Sequence, residues 1–266
     1  MERTVTAHLE LDVTTPATLV LEIAVAQEHL DAGATESLTV TAAGDAVEPR
    51  ELLASHGTRL HVVEAGAGPV SIDYRASLTR LAEPAEPTEA DTIAFLRPSR
   101  YCESDSLAPT ARSEFAGLSG APLLAAVSSW VGTRLAYVPG ASLPTDGAVR
   151  TLLARQGVCR DYAHLVVALL RALDVPARLV SVYAPGLTPM DFHAVAEAFV
   201  DGRWCVVDAT TLAPRGSLVR IATGQDASST AFLSVHHGTA TMGAMEVTAV
   251  ADVLPDDDLD RLVTLR

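Results

Sequence analysis

Gly157-Val158-Cys159-Arg160-Asp161-Tyr162-Ala163-His164-Leu165-Val166-Val167-Ala168-Leu169-Leu170-Arg171-Ala172-Leu173-Asp174-Val175-Pro176 decides the architecture. Val158, Tyr162, Leu165, Val166, Leu169, Leu170 and Leu173 fall at the spacing of one apolar helix face. Gly157 opens the run. Asp174-Val175-Pro176 closes it, because proline clashes with a continuing helix and moves the preceding residue out of the helical region. Three strand-like runs follow, at 177–183, 192–199 and 203–208. The last two are joined by Asp201-Gly202, which suits a type I′ turn because both of its central residues need positive φ. A helix followed by an antiparallel sheet is an α+β pattern.

Upstream the period is two. Val5, Ala7, Leu9, Leu11 and Val13 alternate with polar residues, and the pattern returns in Leu19/Leu21/Ile23/Val25, Leu38/Val40, Leu60/Val62 and Val70/Ile72/Tyr74. Short strands between Gly, Pro and Asp-rich turns predict an antiparallel β-sandwich-like domain over residues 1–83. Two prolines and three acids in 83–89 predict an extended linker, placed at 84–90, and leave 91–266 as a second domain. Leu123, Val127, Trp130 and Val131 predict a further helix there.

A chain of 266 residues with 48% hydrophobic and 20% charged residues has the composition of a folded protein. Its net charge of −14 repels a phosphate backbone, so no nucleic-acid partner is expected. The start Met1-Glu2-Arg3-Thr4 lacks a basic then apolar leader, and no apolar run is long enough to span a bilayer. A cytoplasmic protein without membrane contact is therefore expected. Cys102, Cys159 and Cys205 cannot all pair and fit no metal-knuckle spacing, so no disulfide framework, metal or cofactor is expected. No phosphate-cradling glycine motif occurs. The sequence leaves the oligomeric state open.

Cys159 stands at the first turn of the long helix, where free backbone N–H groups and the helix dipole favour a thiolate and can receive an oxyanion. If Asp201-Gly202 is a two-residue turn, Val200 faces Arg203, Val195 faces Asp208, and His193 is the diagonal neighbour of Asp208 on the same face. An aspartate on one imidazole nitrogen fixes the tautomer and frees the other to serve a cysteine nucleophile. Order alone leaves a second reading open, a buried helix cysteine and a hydrogen-bonded sheet histidine.

The words Gly157-Val158-Cys159-Arg160-Asp161-Tyr162-Ala163-His164-Leu165, Pro176-Ala177-Arg178, Asp191-Phe192-His193-Ala194 and Trp204-Cys205-Val206-Val207-Asp208-Ala209-Thr210 together resemble the transglutaminase-like superfamily of bacterial cysteine proteases. The resemblance spans about 96–250 and implies a papain-like core behind the β-domain. It also implies Cys159 as nucleophile, His193 as general base and acid, and Asp208 as orienting carboxylate. In Leu135-Ala136-Tyr137-Val138-Pro139-Gly140 it makes Tyr137 a candidate oxyanion donor, against a tyrosine packed at the core rim. Gln225, Ser228 and Ser229 stand where the family carries more charge. The implied activity is thiol-dependent acyl transfer on amide or peptide bonds, chiefly hydrolysis of a peptide or protein substrate. Amine transfer to glutamine and a non-catalytic peptide-binding module are the alternatives.

Asp161 and His164 read as a polar pair on the helix surface, Cys205 and Cys102 as buried small hydrophobes, and His236-His237 as a solvated turn. Trp204 reads as packing that shields the His193–Asp208 pair.

Overall fold

The alternation in Arg3–Thr15 buries Val5, Ala7, Leu9, Leu11 and Val13 on one face and leaves the other to threonines and acids. That strand sits inside a five-stranded antiparallel sheet in the order Thr239–Ala251, Arg3–Thr15, Gly68–Leu78, Thr35–Ala42, Asp45–Val47. A four-stranded antiparallel sheet, Leu233–His236, Ala17–Leu21, Arg59–Ala65, Arg50–Leu53, supplies Leu19, Leu21 and Val63 to the same core. This is the expected sandwich. The computed structural model describes residues 1–84 and 86–266.

The expected division of the chain is corrected by the strand pairing. Leu233–His236 and Thr239–Ala251, read as part of the second domain, return to pair with Ala17–Leu21 and Arg3–Thr15. Without the returning strand, one edge of the 13-residue strand Arg3–Thr15 would be unpaired. The expected linker 84–90 includes Ala85, outside the described residues. Its end is helical, because Glu89–Ala94 is a helix capped by Thr88, whose hydroxyl accepts from the Asp91 N–H at 3.1 Å.

The second unit is α+β. A sheet ordered Arg203–Val207, Phe192–Val200, Ala177–Tyr183, Val219–Gly224 is antiparallel throughout. The helix Cys159–Arg171 packs on it with Leu165, Val166, Leu169 and Leu170 fully buried. Gly120–Arg134, with buried Leu123, Val127 and Val131, packs on that helix. Asp201 and Gly202 have φ of 52° and 76°, and the register runs from Val200↔Arg203 to Ala196↔Val207, as read from the turn.

The two units share apolar and polar contacts. Tyr183, Val219 and Ile221 belong to the sandwich core, and the Tyr183 hydroxyl donates to the Ile23 carbonyl at 2.7 Å. Glu197, fully buried, pairs with Arg178 and Arg220 at 2.8 Å each, and Arg220 continues to Glu28 at 2.8 Å. Glu28 belongs to the first unit, so this network ties the two together.

Candidate active site

Cys159 is the first residue of its helix and is partly exposed. Asp161, two residues on, turns back to cap the helix start: its Oδ2 accepts from the Val158 N–H at 2.8 Å and its Oδ1 from the Ser142 hydroxyl at 2.9 Å. Arg160 donates to the Leu143 carbonyl at 2.7 Å. The turn Cys159 occupies is thereby fastened to the 142–143 loop. Gly157 is required, since a Cβ there would lie 2.6 Å from the Asp161 Cβ.

His193 is 2% exposed, and its Nε2 lies 2.9 Å from Asp208 Oδ2. The other carboxylate oxygen accepts from the Thr210 N–H at 2.9 Å and the Thr210 hydroxyl at 2.7 Å. Ser128 donates to the Asp208 carbonyl at 3.3 Å, and Gly132 brings its helix so near that a Cβ would stand 2.6 Å from the Ala209 oxygen. Burial disfavours the imidazolium. The Asp208 charge and hydrogen bond, with a smaller contribution from Cys159, outweigh it and raise His193 to about 10. Burial likewise works against the Asp208 carboxylate, but His193 and Thr210 hold it below the usual range. His193 Nδ1 is buried without a hydrogen-bond partner, so the nitrogen not engaged by Asp208 is free. Cys159 and His193 line one cavity of about 580 Å³.

Tyr137 lies in a two-residue parallel bridge, Ala136–Tyr137 against Gln156–Gly157, and the Val138 N–H donates to the Gly157 carbonyl at 3.0 Å. The bridge holds it beside the residues that lead into Cys159. Burial, then the charge of Cys159, pushes its hydroxyl up to about 12, so it is a protonated donor at neutral pH. Its ring packs on Tyr162 at 5.9 Å and borders a second cavity of about 690 Å³ that also reaches Asp208.

Asp161 and His164 are fully buried, not on the helix surface as expected. Asp161 is the cap just described. His164 stacks on Tyr101 at 5.3 Å and accepts the Ala227 N–H at 3.1 Å through Nε2, which anchors the 226–230 segment beside the cleft. Trp204 does not cover the His193–Asp208 pair: it packs on Phe95 and Phe199 beneath the Arg178 guanidinium, 4.0 Å from the ring centre. Cys102 and Cys205 are buried, and burial pushes the Cys102 thiol up to about 12. His236 and His237 are exposed. Thr210 and Ser142 are not among the residues the sequence singles out. Asp208-Ala209-Thr210 carries a local signal for the first, since a threonine hydroxyl and N–H two residues on readily bond an aspartate. Ser142 carries none, because its contact spans 19 positions.

A protein from Cytophaga hutchinsonii, described as a candidate cysteine protease, has a solved structure that matches over 97% of this chain and 92% of that one. It shares 32% identity, with a TM-score of 0.82. A family model for the transglutaminase-like superfamily matches residues 119–209, which hold Cys159, His193 and Asp208. The chain belongs to the transglutaminase-like superfamily. An uncharacterized protein of Mycobacterium leprae is 36% identical over 58 residues, 22% of this chain and 21% of its own length. The periplasmic domain of TgpA from Pseudomonas aeruginosa aligns at 21% identity and a TM-score of 0.42, over 77% of this chain and 90% of that one. Among the described residues no helix is long and apolar enough to cross a membrane.

Proposed function

We propose that the protein is a cysteine peptidase or amidase acting through Cys159, His193 and Asp208. The observation that carries this reading is the imidazole bound at 2.9 Å to a buried carboxylate with its second nitrogen unpaired, in the cavity that also holds a cysteine at a helix N-terminus. The Cys159 thiolate adds to the carbonyl carbon of a peptide or amide. Protonated His193 gives its proton to the departing amine as the C–N bond breaks, which leaves a thioester. Water then adds with His193 as base, the C–S bond breaks, and the acid leaves. The N–H groups of the first helical turn, with the Tyr137 hydroxyl as an added donor, receive the oxyanion. Asp208 keeps the imidazole in the productive tautomer and stabilises its cation. The superfamily membership and the peptidase description of the Cytophaga protein support a peptide or protein substrate over another acyl compound.

The test is iodoacetamide alkylation against pH, with peptide mapping of the modified cysteine, on the wild type and on His193→Ala. Fast, selective modification of Cys159 near neutral pH that is lost with His193 is expected. A thiol that reacts like free cysteine in both proteins would remove the catalytic reading.

A further inference from the structure

The cleft that holds Cys159 and His193 has a wall contributed by the β-sandwich. Glu22 lies one residue beyond the strand Ala17–Leu21, and its N–H donates to the Phe232 carbonyl at 3.0 Å. It lines the same cavity as the thiol and the imidazole and is only 8% exposed. Among the described residues its side chain makes no hydrogen bond or ion pair, and Oε2 is sealed from water without a partner. Every other acid buried to this degree has found one: Asp161 has Val158 and Ser142, Glu197 has two arginines, Asp208 has His193 and Thr210, and Asp226 has Tyr101 and Ser228. A buried carboxylate without a counter-ion is costly, so its place in the cleft wall points to a partner that arrives with the ligand.

We infer that Glu22 is a specificity-determining residue that receives a cationic group of the substrate, an ammonium or guanidinium, within the cleft. This rests on the acyl-transfer reading for the word substrate. The surroundings fit a cation on an otherwise apolar chain: Phe192, Phe232, Ile221 and Leu179 line the same cavity, with Phe192 and Phe232 stacked at 5.1 Å. The two cations of the lining are already committed, Arg160 to Leu143, Ser142 and Asp161, and His193 to Asp208. Asp191, the other acid of the lining, holds the Phe192 N–H at 2.7 Å and is the competing site to be tested. Burial alone lifts Glu22 to about 7, as a carboxyl kept apart from any cation should behave, and a bound ammonium would restore its charge.

Three dipeptidyl chloromethyl ketones read the inference without a known substrate: acetyl-glycyl-norleucyl, acetyl-glycyl-lysyl, and glycyl-norleucyl with a free α-amine. One cationic reagent should inactivate Cys159 about tenfold or more faster than the neutral one, as a charge-assisted hydrogen bond allows. Which one does so tells a side-chain cation from a peptide N-terminus. Glu22→Gln should bring the ratio to about one while the neutral reagent still modifies Cys159, which shows the cleft intact; Glu22→Asp should keep a smaller preference. Equal rates for all three reagents on the wild type would overturn the inference. So would a preference that survives Glu22→Gln, or one that vanishes only with Asp191→Asn. A Cys159 that reacts no faster than free cysteine counts against acyl transfer and not against the subsite, because the ratio between reagents still reports the cation.

Discussion

Asp208→Asn separates charge from shape at the His193 pair. In the wild type, burial works against the imidazolium, yet Asp208 outweighs it and His193 stands at about 10 against an ordinary 6.5. With each pKa unit worth about 1.4 kcal/mol, the carboxylate, with a smaller contribution from Cys159, overcomes the whole burial penalty and adds on the order of 5 kcal/mol in favour of the cation. An asparagine removes the charge, so burial wins and His193 should titrate below 6.5. It also offers an N–H where an acceptor is needed, which favours the wrong tautomer; in a related triad that error costs about 10⁴ in kcat. NMR titration of the His193 ring and the Cys159 alkylation profile read the two effects separately. The stability signs follow. His193 is raised, so its contribution is complete below 6.5 and lost as pH rises through about 10. Asp208 is lowered, so its contribution is present above 3.8 and lost as pH falls through its folded value. The melting difference between wild type and variant should therefore be largest between those limits. A variant whose His193 still titrates near 10, or whose alkylation profile overlays the wild type, would refute the argument.

Two further changes probe the frame. Glu197→Gln should lose about 3 to 5 kcal/mol in urea unfolding, because it leaves two buried guanidiniums short of an anion. Although burial opposes ionisation of Glu197, Arg220 and Arg178 hold it at about 2, so its contribution is present above 4.5 and lost as pH falls through 2; a loss under about 1 kcal/mol at neutral pH would contradict this. Gly132→Ala should cost about 1 to 3 kcal/mol and slow Cys159 alkylation, because its Cβ would meet the Ala209 oxygen at 2.6 Å and displace the neighbouring Asp208. Wild-type melting and thiol reactivity in that variant would show that the contact yields freely.

The parts of this molecule that could be read from sequence are those in which a local rule fixes a local geometry. Asp201-Gly202 sets a two-residue turn, the turn sets the register, and the register brings His193 beside Asp208. The helix Cys159–Arg171 follows from its own apolar period and from Pro176. What failed to read is long-range. The return of Thr239–Ala251 to Arg3–Thr15 spans more than 220 positions and leaves no local mark, because an edge strand and a central strand can carry the same alternation. Buried acids failed for the same reason. Asp161 reads as a surface residue one turn from His164 because nothing nearby in sequence announces that the 142–143 loop will cover it.

That long-range return also bears on the chemistry. The thiol and the imidazole come from the helix and the sheet of the second unit, while Glu22, Ser234 and Met245 line the same cleft from the sandwich and its returning strands. Leu233–His236 pairs with Ala17–Leu21, so the residue that follows each strand at this end, Glu22, and the residue that precedes it, Phe232, are set by one register. Leu19 and Leu21, buried on one face of Ala17–Leu21, set the facing of Glu22, and a one-residue slip of that strand would turn it to the other face. On the proposed reading, reactivity depends on the Asp201-Gly202 hairpin and selectivity on the pairing of Leu233–His236 with Ala17–Leu21, which exists only when the end of the chain folds back on its beginning.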